Sequence, residues 1–139
     1  PDKLNQLRHA RFFRNSAGIR AHMKKHAAVL RPKFEKVLDV LEQQLGGLGI
    51  AEWTKPQGGY FISFNTLPGC ARAVVSKCAE YGVKFTPAGA TFPGGYDPED
   101  RNIRIAPSFA ALEDAENAVK VLALCTRVVS AEKLLRGIQ

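Results

Sequence analysis

The sequence predicts an α+β fold of two layers: a small mixed sheet of about four strands with helices packed on one face, preceded by a long amphipathic helix. Three observations predict it. Apolar residues recur at steps of three and four from Ile19 to Leu45, the spacing that gathers them on one side of a helix. After the glycine-rich "GGLG" the pattern changes to short strand-like runs, "IAEW", "YFISFNT", "VKFT" and "NIRIAP". Helical spacing returns between these runs and again after the last one.

Each element has its own reason. "KLNQLRHARFF" (Lys3 to Phe13) is a short helix, interrupted by "RNSAG", with Ser16 as the N-cap of the next helix. That helix runs for about 25 residues through Ile19, Met23, Ala27, Leu30, Phe34, Val37, Leu38, Leu41 and Leu45. Pro32 inside it predicts a kink or a restart near Leu30 and Arg31. "GGLG" then ends it. Ala71, Val74, Val75, Cys78 and Tyr81 share a helical face, closed by Gly82. A loop rich in Pro and Gly, Pro87 to Arg101, precedes the last strand. The closing helix opens with Glu113, Asp114 and Glu116, whose charges suit the positive end of a helix dipole.

The totals exclude several classes. At 139 residues, 45% hydrophobic and 24% charged, the chain is of single-domain size and able to bury a core. No apolar run reaches the roughly 20 residues of a membrane span, so no membrane role is expected. Three cysteines (Cys70, Cys78, Cys125) without a CxxC pair predict free thiols in a reducing, cytoplasmic setting. The net charge of +7 is concentrated: residues 1–36 hold ten Lys/Arg against two acids. The chain begins at Pro1, in what reads as mid-protein sequence, and is expected to be a fragment.

Alternation across strands predicts a two-sided sheet. Tyr60, Ile62 and Phe64 should face the helices, and Phe61, Ser63 and Asn65 should face outward. In "NIRIAP" the isoleucines face inward, which puts Arg104 on the same outward side as Phe61. An arginine there either extends to water or grips an anion at two points with its planar fork. The loop before it, about 15 residues long, favours function, because structureless loops of that length are uncommon otherwise.

Other signals are weaker. His22 and His26 stand four apart as a zinc pair would, but Met23 occupies the place of the catalytic glutamate and Lys24 and Lys25 repel a cation; a solvated basic face is expected, and no metal. No phosphate-cradling glycine motif and no serine or cysteine nucleophile motif is present. An RNA-binding or other interaction module with an open sheet face is the alternative reading, because "GGYFISF" echoes an RNA-recognition strand. Tyr60 and Phe61 are adjacent and point to opposite faces, so they form no shared stacking platform, and nucleic acid is not the expected partner.

Three blocks, "PDKLNQLRHARFF", "KPQGGYFISF" and "FTPAGATFPGGYDPEDRNIRIAPSF", carry a resemblance that covers essentially the whole chain. It resembles the C-terminal small domain of a fold-type-I, pyridoxal-phosphate-dependent aminotransferase, in the aspartate-aminotransferase-like, MocR-type branch. The resemblance implies that Arg104 grips the substrate α-carboxylate and that Phe61 lines the cleft. It implies that Gly58 and Gly59 let the chain pass close to the ligand, with Phe92 on the cleft rim. Residues 1–16 would be an interdomain helix segment and residues 17–139 the small domain. The implied cofactor is pyridoxal 5′-phosphate, and the implied partners are amino-acid and 2-oxo-acid substrates, a large cofactor-binding domain and a second copy in a homodimer. The catalytic lysine and main cofactor-binding groups would lie upstream of Pro1, so the fragment alone is expected to be inactive.

Overall fold

The computed structural model describes residues 2–137. It divides into two compact units, Pro1–Pro32 and Lys33–Gln139.

The first unit holds helix α1, Lys3–Phe13, and the beginning of helix α2, Ser16–Leu45. Asp2 caps α1 by accepting the Asn5 N–H at 3.1 Å. The cap of α2 is Asn15 rather than Ser16: the Asn15 Oδ1 accepts the Gly18 N–H at 3.0 Å, while the Ser16 hydroxyl accepts from Arg20. No residue of α1 is buried. Phe12 and Phe13 set their rings edge-on to His22 at 5.4 and 5.3 Å. The helix α2 continues without a restart through Pro32.

The second unit carries the core. Strands β1 (Ala51–Trp53), β2 (Ile62–Thr66) and β3 (Asn102–Ile105) form one antiparallel sheet in the order β1-β2-β3. Helix α3 spans Ala71–Glu80 and helix α4 spans Leu112–Arg136. Val37, Leu41 and Leu45 of α2, Val74 and Cys78 of α3, and Val119, Leu122 and Cys125 of α4 pack with Ile62, Phe64, Ile103 and Ile105 of the sheet. The α+β architecture is as expected, but the sheet has three strands and is wholly antiparallel. Val83 to Thr86 forms no ladder, because its Val83 N–H turns back to the Cys78 carbonyl at 2.9 Å. Tyr60 is a second correction. It precedes β2, where strand alternation does not yet apply, and is 57% exposed instead of facing the helices.

The loop before β3 is fastened at both ends. The Asp100 carbonyl accepts the Cys70 and Ala71 N–H groups at 3.0 and 2.8 Å, and its carboxylate accepts that of Arg72 at 3.1 Å. The exposed donors of α3 are thereby capped from thirty residues away in sequence. Gly89 adopts φ +81°, and a Cβ there would stand 2.7 Å from the Gly95 carbonyl oxygen, so only glycine fits.

Candidate functional site

Register builds the outward face. In the β2–β3 ladder Ser63 lies opposite Arg104 and Asn65 opposite Asn102, while Glu52 of β1 lies opposite Asn65. The alternation that buries Ile103 and Ile105 turns Asn102 and Arg104 the other way. Phe61 stands just before β2 and is 48% exposed. Its ring lies under the Arg104 guanidinium, with Cζ 4.6 Å from the ring centroid, a cation–π contact. The two residues that strand alternation placed on one face are therefore in contact.

The ion pairing of Arg104 sets it apart from Arg101. Arg101 is neutralised by Glu52 at 2.8 Å and Glu99 at 3.3 Å. Among the described residues no carboxylate pairs with Arg104; the Nε atoms of both arginines are buried without a hydrogen-bond partner, so the difference between them lies in the ion pairs. A buried guanidinium donor left unmatched is costly, and an incoming carboxylate is the ligand that matches its planar fork.

The neighbouring polar groups are occupied with one another. The Asn102 amide donates to Ser63 Oγ at 2.9 Å and Asn65 Oδ1 at 2.7 Å, and its oxygen accepts from Thr91 Oγ1 at 2.6 Å. Its backbone N–H donates to Asp97 Oδ2 at 2.8 Å, and its carbonyl accepts the Gly89 N–H at 3.2 Å. Asp97 also accepts the N–H groups of Glu99 and Arg101. Burial pushes the Asp97 carboxyl up, but these three backbone donors and the Arg101 charge outweigh it and hold it below its ordinary range.

The other expected site residues are not joined to the Arg104–Phe61 pair. Gly58 and Gly59 have open space where a Cβ would stand, and Gly59 is required for its φ of +88°. Phe92 sits on the loop, its N–H donating to the Gly89 carbonyl. Sequence reasoning missed Asn102, Thr91 and Asp97, which organise the loop. The available signal was Asn102 itself, a polar residue on the same strand face as Arg104.

No group of three or more His, Cys, Asp or Glu side chains among the described residues forms a metal cluster. No helix among them is long and apolar enough to cross a membrane. All three cysteines are free and buried, and burial first, then the proximity of Cys125, pushes the Cys78 thiol up to about 12.

Comparison with known proteins gives consistent matches. The profile of the aspartate amino-transferase family matches residues 1–137. An aspartate aminotransferase of Corynebacterium glutamicum is 47% identical over 132 residues, which are 95% of this chain and 31% of that protein. The crystal structure of an aspartate transaminase from Corynebacterium glutamicum superposes with a TM-score of 0.91 at 47% identity, covering 96% of this chain and 31% of that one. An α-aminoadipate aminotransferase from Thermus thermophilus, solved with N-(5′-phosphopyridoxyl)-L-leucine, shares the fold at a TM-score of 0.70 and 21% identity, over 82% of this chain and 28% of that one. The chain thus spans about a third of the length of the relatives it matches.

Proposed function

The chain belongs to the aspartate amino-transferase family, and on that premise we propose that it is the C-terminal, carboxylate-binding part of a pyridoxal-phosphate-dependent aminotransferase. The observation that carries this reading is Arg104, held over Phe61 with no carboxylate partner among the described residues.

The intact protein moves an amino group from an amino acid to a 2-oxo acid. Both substrates carry a carboxylate beside the reacting carbon, so one arginine serves both half-reactions. Arg104 binds that carboxylate through two parallel N–H donors and orients the reacting carbon. Phe61 supports the guanidinium from below and excludes water on that side. Pyridoxal phosphate, held by the rest of the protein, supplies the electron sink for the transfer. The residues of this chain fit the substrate end of such a site, and none of them is assigned to the cofactor. The name of the Corynebacterium glutamicum relative, an aspartate aminotransferase, supports aspartate as the amino donor. A cytoplasmic homodimer, each subunit with a large cofactor-binding domain, completes the proposal.

The test is steady-state kinetics of the intact protein. Arg104→Ala raises the KM for amino acid and 2-oxo acid by about 10- to 100-fold, the value of a charged hydrogen-bonding pair. Cofactor absorbance stays as in the parent. Unchanged KM for both substrates sinks the assignment.

A further inference from the structure

We propose that Asn102 is a positioning residue that keeps Arg104 free for its ligand by occupying the hydrogen-bond acceptors around it. This rests on the carboxylate-binding reading of Arg104.

An arginine beside unsatisfied oxygen atoms pairs with them, and a side chain so engaged must be released before it binds anything else. Ser63, directly across the ladder from Arg104, carries such an oxygen, as do Asn65 and Asn102 on the same face. Asn102 engages one acceptor site on each of the three. Its amide donates one hydrogen to Ser63 Oγ and the other to Asn65 Oδ1, and its own oxygen is taken by the Thr91 hydroxyl. The guanidinium is left against the Phe61 ring, which offers a π face and no lone pair that competes with a carboxylate. Asn102 also fixes the loop, through its backbone bonds to Asp97 and Gly89, so Thr91 is held where its hydroxyl reaches the amide oxygen.

Asn102→Asp tests this with little change of shape. It replaces the amide donor with a carboxylate two residues from Arg104 on one strand face. The charged groups around that position are Arg104 of β3, Glu52 of β1, and Asp97, Glu99 and Arg101 of the loop; β2 contributes only the uncharged Ser63 and Asn65. In the intact protein the variant raises the KM for amino acid about tenfold at neutral pH, as Arg104 turns to the new carboxylate. The ratio of variant to parent KM shrinks as the pH falls and the new side chain protonates, a change that a packing defect does not produce. A KM within twofold of the parent, or a loss independent of pH, overturns the proposal.

Thr91→Val is the second variant and decides the matter if Asn102→Asp does not fold. It frees the Asn102 oxygen, raises KM about fivefold and speeds amide exchange at Gly89, whereas Thr91→Ser restores both. No change in either measure for Thr91→Val overturns the proposal. Arg104→Ala, run in parallel, keeps the two readings separate. If it leaves KM unaltered the carboxylate-binding reading fails, and with it any role for Asn102 in substrate binding. If it raises KM while the Asn102 and Thr91 variants do not, only the positioning role fails.

Discussion

Arg104 and Arg101 are three residues apart, and their surroundings differ. Two acids hold Arg101 as a structural cross-link between β1 and the loop, whereas no carboxylate among the described residues pairs with Arg104. Arg104→Lys tests the geometry as distinct from the charge: one ammonium replaces the two-point fork, so it recovers only part of the loss seen in the alanine variant. Asp97 acts at the same scale through titration. Its carboxyl titrates below the ordinary value of 3.8 in the folded chain. The stabilisation it gives is therefore complete above pH 3.8 and is lost as the pH falls through the lower folded value. Urea midpoints measured against pH should show Asp97→Asn less stable than the parent at neutral pH, with the difference closing in acid. The outward direction of Arg104 was legible in the sequence because alternation by two needs no knowledge of distant residues; Phe61 reaches it from just before β2, where alternation no longer governs. The Asn102 hydrogen bonds were not, since the partners of an amide side chain depend on which strand lies beside it and which loop lies above it.

At the scale of elements, helices were the most legible parts. Spacing of three and four is a local property, and α1, α3 and α4 lie within a residue or two of their expected spans. Strands need partners, and local sequence does not supply them. Val83 to Thr86 has a strand's composition but no neighbour to pair with, and Tyr60 lies outside the ladder that would have fixed its direction. The loop before β3 closes tightly at Gly89. Gly89→Ala, at φ +81° and with 2.7 Å to the Gly95 carbonyl oxygen, should destabilise the chain by about 1–3 kcal/mol in chemical unfolding. The α3–α4 contact makes a different prediction. Cys78 and Cys125 are buried, and the Cys78 thiol is pushed up to about 12, so a maleimide at pH 8 leaves them unlabelled until the protein unfolds.

At the scale of the whole molecule, the core of the second unit depends on a few large side chains, Phe64 foremost among them. Phe64→Ala should cost about 3–5 kcal/mol of stability, read from urea unfolding. The far edge of that unit has the opposite character. The Lys33 ammonium donates to the carbonyls of Ser108 and Ala110, the residues on either side of Phe109. The backbone is tied down on both sides of a ring that is itself 99% exposed. A side chain held in water by a fixed backbone is a natural place for a fluorophore. Phe109→Trp adds an indole to a protein whose one native tryptophan, Trp53, stacks against Phe64. Its emission in this chain alone should read as fully solvated, and a shorter wavelength in a longer form of the protein would report that the ring is covered there.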